Sequence, residues 1–397
     1  MTNTARRIDT NLSKMLKSSK ESYAYEAWTV SKEGDITGHT GTISTALVSN
    51  LASPKNPTFF LSTDERVLEL QAIDKARLIN RAGKTTYLTK RQQKIVFALS
   101  MILSKHKDDE EVQQYIQRLK EGKNVKSRIT IPISITALTK LVTTDGKARA
   151  RQKQDVLNDL RALAEIQQVQ IFGEFGTQEG QLRFLAPLIH IDEQIEDLTK
   201  GKKLDADYVG ITLGRLFFYE LTTRYATIKP TLFQLWGKQR NGTDTELFGI
   251  LLADLLSKYG MYRLSALNAS KKLKGKANDK ALQKAQKEAL TYREYTETIQ
   301  ERVITGYGNS REQRKRFRTD LEGAIGALID YGLITEDTKL IQTQRGEAVD
   351  FVFNLDYARQ EVKETYLPSR NLTILPNLES IEAKETLFSE TDALPEA

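Results

Sequence analysis

A basic run leading into an amphipathic helix, followed by two strand-like runs, occurs twice in this chain of 397 residues. Arg314, Arg316, Arg318, Asp320, Leu321, Ile325, Ala327 and Leu328 repeat, 165 positions on, the pattern of Arg149, Arg151, Lys153, Asp155, Val156, Leu160, Ala162 and Leu163. In each copy the apolar residues recur at helical spacing. Phe317, Leu321, Ile325 and Leu328 form one stripe, and Val156, Leu160 and Leu163 the other. After the first helix come strand-like runs over Gln168–Phe172 and Leu182–Ile191, separated by Gly176-Thr177-Gln178-Glu179-Gly180. After the second come Lys339–Thr343 and Ala348–Leu355, separated by Arg345-Gly346-Glu347. A pattern that recurs in this way points to a duplicated module.

The segments before each helix extend the parallel. Thr89 is placed to cap a helix carrying Ile95, Val96, Leu99, Ile102 and Leu103, and Lys105–Lys126 reads as a charged helix or helical loop. Ile129–Ile133 alternates as a short strand, Ser134–Val142 reads as a capped helix, and Thr143-Thr144-Asp145-Gly146 turns into the basic helix. The order helix, strand, helix, turn, helix, hairpin is that of a winged helix. In the second copy Leu213–Leu221, Thr231–Trp236 and Glu246–Tyr259 are apolar segments, and Tyr262–Leu267 is the expected short strand. Lys271–Lys287 reads as a solvated helix inserted into the module, and Tyr292–Val303 as the helix before the turn Thr305–Asn309.

The expected fold class is therefore α+β, mainly helical, with two tandem winged-helix domains. The boundaries read as an N-terminal extension over 1–86, a first domain over 87–200, a second over 208–357 and an acidic tail over 358–397. The insertion spans 271–290, and Asp192–Asp207 is a polar connector. Met1–Lys20 reads as a mobile arm, Ser22–Val48 as β-structure and Thr63–Arg81 as helical, while the tail, with Pro368 and Pro376, is expected to be mostly disordered.

Charge and composition narrow the function. The net charge of +7 is uneven: Arg263–Arg318 holds 15 Lys and Arg against 6 Asp and Glu, and Gln360–Ala397 holds 3 against 8. A basic interior with an acidic tail suits a polyanionic partner. With no Cys there is no disulfide, thiolate metal site or cysteine nucleophile. No apolar run reaches the roughly 18–20 residues needed to span a bilayer. Arg6 and Arg7 lack an apolar segment after them, so no secretory signal is expected, and a cytoplasmic bacterial or phage protein fits best.

Catalytic motifs are weak. His39, His106 and His190 are far apart, so the paired histidines that hold a metal beside a tyrosine nucleophile in nicking enzymes are missing. Gly83-Lys84-Thr85 ends like a phosphate-binding loop, but Leu78 stands where that motif needs Gly. Asp108-Asp109-Glu110-Glu111 reads as solvated charge. No catalysis, cofactor or metal is expected. The candidate sites are instead DNA contacts. On the first basic helix Lys147, Arg151, Gln154, Asn158 and Arg161 share a row, with Arg149 and Lys153 beside it. On the second, Arg311, Lys315 and Arg318 share a face, with Arg314 and Arg316 beside them and Arg345 at the hairpin tip. Arg and Lys serve phosphates, and Arg, Gln and Asn can also reach purine edges. The competing reading of each is a solvated charged face. The further lysines Lys271, Lys272, Lys274, Lys276, Lys280, Lys284 and Lys287 read mainly as a solubilising surface.

Together with stretches such as Ala150–Leu157 and Arg316–Leu321, this arrangement resembles the iteron-binding plasmid replication initiators, over about Tyr87–Tyr357. The resemblance implies that Arg314, Lys315, Arg316 and Arg318 are the main binders, and Arg149, Arg151 and Lys153 an auxiliary set. It implies repeated origin DNA as the target, host helicase and initiator proteins as partners, and a monomer–homodimer balance with autorepression. The sequence departs from that family in its long N-terminal extension and in the Lys-rich insertion. A winged-helix transcriptional regulator is the alternative, and a rolling-circle nicking initiator a more distant one.

Overall fold

Residues 28–30, 36–52, 60–63, 66–69, 78–79, 87–120, 129–143, 146–172, 182–192, 196–197, 202–203, 207–218, 225–238, 242–273, 279–303 and 306–357 are described by a computed structural model. The arm at Met1–Lys20 and the tail at 358–397 lie outside the described residues. Where described, the chain is an α+β protein of helices with small antiparallel sheets.

The N-terminal region is not an appendage. β1 (Trp28–Val30) pairs with β2 (Ile36–Gly38), and β3 (Gly41–Ser44) runs directly into α1 (Thr45–Ala52). Strand structure was expected as far as Val48, but Leu47, Val48 and Leu51 form the buried face of a helix. Where a helix was expected over Thr63–Arg81, the described residues are in strands: β4 (Phe60–Thr63), which pairs with β5 (Arg66–Glu69), and β6 (Leu78–Ile79); the other residues of 64–81 lie outside the described residues. Here β4 lies antiparallel to β5, with Leu61 opposite Leu68 and Ser62 opposite Val67, and strand pairing prevails over helical spacing.

The first unit follows the expected order. Thr89 caps α2 (Lys90–Lys105): its hydroxyl accepts from the Gln92 N–H at 3.3 Å, and Gln92 Oε1 accepts from the Thr89 N–H at 2.8 Å. α3 (Glu110–Lys120) and β7 (Thr130–Ser134) follow, and Ser134 then caps α4 (Ile135–Val142). α5 (Ala150–Glu165) buries Val156, Leu160 and Leu163, as its stripe requires. β8 (Gln167–Phe172) and β9 (Leu182–Pro187) form the hairpin, with β6 on the outer edge of β8.

The strand expected over Leu182–Ile191 is broken at Leu188. The Leu188 N–H donates to the Ile166 carbonyl at 2.8 Å, and the chain leaves one sheet for another as β10 (Ile189–Asp192). The expected connector contains a short hairpin, β11 (Glu196–Asp197) with β12 (Lys202–Lys203). β13 (Tyr208–Leu213) corrects the domain boundary at 208. It lies between β10 and β7 in the first unit's sheet and buries Val209, Ile211 and Leu213 there.

α6 (Arg215–Phe218), β14 (Tyr225–Ile228) and α7 (Thr231–Lys238) lead into α8 (Gly242–Leu273), 32 residues long. The strand expected at Tyr262–Leu267 is part of this helix. Its alternating apolar residues imitate a strand, but the helix runs on through Gly260 and Ala266 is buried. β14 pairs with β3 and α1 lies along α8, so residues 41–52 belong to the second unit's packing. Trp236 joins the two units, standing edge-on to Phe97 of α2 (5.5 Å) and to Phe248 of α8 (5.7 Å). Gly249 makes this approach possible, because a Cβ there would lie 2.6 Å from the Trp236 ring.

α9 (Asp279–Ala289) packs back on α8, and β15 (Thr291–Tyr295), α10 (Thr296–Arg302) and α11 (Arg311–Asp330) follow. The helix expected from Tyr292 thus begins with a strand, because Thr291, Tyr292 and Tyr295 are strand formers with a partner available in β17. β16 (Lys339–Thr343) and β17 (Gly346–Val352) complete a sheet in the order β15-β17-β16. α11 buries Phe317, Leu321, Ile325 and Leu328.

Leu321 is fully buried. Leu321→Ala should cost about 2–5 kcal/mol; an unchanged thermal melt would show that the stripe is not core.

Candidate nucleic-acid interface

α11 starts at a complete capping box. Ser310 accepts from the Gln313 N–H at 3.2 Å, and Gln313 Oε1 accepts from the Ser310 N–H at 3.3 Å. The turn before it contains Gly306, whose φ of 67° favours glycine, and Tyr307. The Tyr307 hydroxyl donates to Asp320 Oδ2 at 2.8 Å, and its ring stands edge-on to Phe317 at 4.9 Å. Turn and helix are therefore fastened together one to three turns into α11.

The two basic helices end in register but do not begin so. Their last residues, Glu165 and Asp330, keep the 165 spacing, whereas their caps, Arg149 and Ser310, are 161 apart. α11 has 20 residues against 16 in α5, one extra turn at its N-terminus. The basic residues matched by sequence thus stand one turn deeper in the second copy.

Arg311, Arg314 and Lys315 are exposed and, among the described residues, have no acidic partner. They crowd the N-terminal half of α11, where the helix dipole adds positive potential. Arg316 is exposed and lies 3.8 Å from the buried Asp320. Arg318 is held between carboxylates at 3.2 Å each, Glu322 one turn on and Glu347 of β17. It ties α11 to the hairpin. Arg345 sits in the two-residue connection between Thr343 and Gly346; its N–H donates to the Thr343 hydroxyl at 3.2 Å, and its exposed side chain has no acidic partner among the described residues. Gly346 has φ 125°, which explains glycine there.

In the first unit Lys147, Arg149 and Arg151 are exposed. Gln154 donates to Asn158 at 3.1 Å and Arg161 to the same Asn158 oxygen at 3.4 Å, so those three share the expected row. Lys153 differs from expectation. It is partly buried, and its Nζ lies 3.1 Å from Asp207 Oδ1, which makes it a structural cation. Asp207 also accepts from the Ser134 hydroxyl at 2.6 Å and from the Thr136 hydroxyl and N–H. Burial alone would raise this carboxyl's pKa, but these hydrogen bonds outweigh it and hold the carboxyl below its usual range. Arg91 of α2 ties α5 down in turn, through Asp159 and Asp155 (3.7 Å).

α10, which delivers the chain to α11, is fixed by a buried ionic cluster. Arg302 reaches Asp254 of α8 at 3.1 Å and Glu294 of β15 at 2.5 Å. Lys258 pairs with Asp254 and donates to the Tyr292 hydroxyl at 2.9 Å. Burial, then the Asp254 charge, push the Glu294 carboxyl above its usual pKa. Burial would lower the Arg302 guanidinium, but Asp254 and Glu294 reverse this and keep it charged.

Sequence reading missed Asp207, Tyr307, Glu347 and this cluster. Each acts through a partner distant in the chain or a partner of opposite charge that spacing does not reveal. Among the described residues no group of histidines and acids is arranged to hold a metal, and no helix is long and apolar enough to cross a membrane. No protein-family model matches the chain, and no curated protein or solved structure does.

Two outcomes test this geometry. Asp207 gains stability from its lowered pKa, fully present above the usual aspartate range and lost as pH falls through the folded value, below about 4. Asp207→Asn should therefore cost about 1–2 kcal/mol at pH 7, a hydrogen-bond figure reduced for partial exposure, and progressively less as pH falls below the usual aspartate range. A loss in melting temperature that stays constant as pH is lowered through the acid range would contradict the assignment. On the exposed side of α11, a Cβ at Gly323 would meet nothing within 4 Å. Gly323→Ala should raise stability by about 0.5–1 kcal/mol in a denaturant titration; destabilisation would mean the helix is packed there.

Proposed function

We propose that both units are winged helices and that the chain is a non-enzymatic, sequence-specific duplex DNA-binding protein, a plasmid replication initiator of the iteron-binding kind. The observation that carries this reading is the uncovered positive end of α11. Arg311, Arg314 and Lys315 stand there without acidic partners among the described residues, with Arg345 on the adjoining hairpin tip. The second support is repetition: strand, helix, turn, helix and hairpin occur as β7 to β9 and again as β15 to β17.

In this reading α11 enters the major groove, whose width of about 12 Å accepts a helix about 10–12 Å across. The free cations at its start meet phosphates and fix register, and the β16–β17 connection brings Arg345 to the adjacent backbone. α5 offers Lys147, Arg149, Arg151, Gln154 and Asn158 to a second stretch of duplex. Two such modules held by a shared core would engage one side of the DNA over more than one turn and favour its distortion. Opening an origin, recruiting host helicase and initiator proteins, a monomer–homodimer equilibrium and a cytoplasmic location follow from the resemblance to that family. No catalytic step is assigned.

The test is footprinting of the full chain on DNA flanking its own gene, together with titration across a salt series. Protection of evenly spaced direct repeats supports the initiator, protection of one inverted repeat over a promoter supports a regulator, and no salt-resistant protection contradicts both. Replacing Arg311, Arg314 or Lys315 with Ala should each reduce the log–log salt slope by about 1; unchanged slopes would remove α11 from the interface.

A further inference from the structure

We infer that residues 379–396, the acidic end of this chain, dock on the N-terminal half of α11 and compete there with DNA; the competition rests on the duplex-DNA reading above. Two regions of opposite sign belong to the same molecule. On α11, Arg311, Arg314 and Lys315 are exposed and have no acidic partner among the described residues, and Arg345 is exposed at the hairpin tip. Against these cations the stretch 311–315 holds one acid, Glu312. In residues 379–396, Glu379, Glu382, Glu385, Glu390, Asp392 and Glu396 stand against the single basic Lys384. Carboxylates and phosphates call on the same cations, so whatever suits α11 to a duplex suits it to this segment.

The fold fixes where the segment sets out. Tyr357 is fully buried: its hydroxyl donates to the Thr227 carbonyl at 2.8 Å, and its ring packs on Tyr259 at 5.3 Å and on Tyr331 at 5.6 Å. Tyr331 caps the C-terminal end of α11, so the chain leaves the fold at the opposite end of that helix from the free cations. From Arg311 to Tyr331 the helix rises about 30 Å. Glu379 lies 22 positions beyond Tyr357, enough chain to span about 70 Å, so the acidic segment reaches the N-terminal half of α11 with length to spare. The exit itself repels it. The Asn354 N–H and side chain donate to the Leu333 and Gly332 carbonyls, which brings Asp356 beside the turn flanked by Asp330 and Glu336, and all three acids are exposed. Lys287 of α9, which reaches this turn, is already engaged by Asp337 at 2.8 Å. A tethered segment acts at a local concentration that does not depend on how much protein is present. Competition weakens binding to every duplex by the same factor, so contacts with random sequence, the weaker ones, are lost first.

The experiment uses the full chain with one introduced cysteine, Ser389→Cys, carrying a photoactivatable benzophenone. Crosslinks are mapped without DNA at low and high salt, and again with a random-sequence duplex added. They should fall on residues 307–318 and 343–347, fade at high salt, and disappear when Arg311, Arg314 and Lys315 are replaced together by Gln. Added duplex should suppress them. In a second variant the six acids of 379–396 are replaced by their amides (Glu→Gln, Asp→Asn). It should lose the crosslinks and bind duplex more tightly by on the order of 10-fold at low salt, a gain that shrinks as salt rises. Crosslinks absent, or scattered over the chain, in a protein that binds duplex overturn the inference and leave the DNA reading standing. Crosslinks on α11 that persist under saturating duplex overturn the competition. Crosslinks on α11 in a protein that binds no duplex uphold the docking and remove the functional reading.

Discussion

The arrangement depends on burial of α8. From Leu247 to Leu256 nearly every side chain is buried, and apolar residues occupy all sides of the helix rather than one stripe. A helix of that kind is stable only when surrounded. α1 and α7 from earlier in the chain and α9 and α11 from later surround it, and α2 of the first unit reaches it through Trp236. The one break in the apolar surface, Asp254, is neutralised by Lys258 and Arg302. Leaving any of these charges unpaired would be expensive, so the cluster specifies where α10 ends and hence where α11 begins.

Much of the local structure was legible in the sequence. Thr89 and Ser134 act as caps, and the stripes Val156, Leu160, Leu163 and Phe317, Leu321, Ile325, Leu328 are buried. Caps and stripes are written in residues a few positions apart. What failed was long-range. β13 looked like the start of a new domain because nothing nearby shows that β10 and β7 lie on either side of it. Residues 41–52 looked like an extension because their partners, β14 and α8, are nearly two hundred positions away. Tyr292–Tyr295 passed for helix because its partner strand comes later in the chain.

The same limit applies to the charged residues. Composition finds the cations but not which are already engaged. Lys153 is taken by Asp207 and Arg318 by Glu347, both remote in sequence, and those pairings separate structural cations from ones left to face a polyanion. The sequence repeat was real at the helix ends. The extra turn at the start of α11 moved the second basic cluster relative to its cap, which makes the two units unequal as surfaces.

The central claim is that the N-terminal half of α11 faces the DNA. The chain has no cysteine, so a single introduced thiol can carry an iron chelate at one chosen position. Thr319 is exposed on α11, and Glu336 is exposed beyond the helix's other end. The chelate on Thr319→Cys should cut bound duplex within the protected site, and the chelate on Glu336→Cys should leave it intact. Cutting from position 336 with none from 319 would contradict the account.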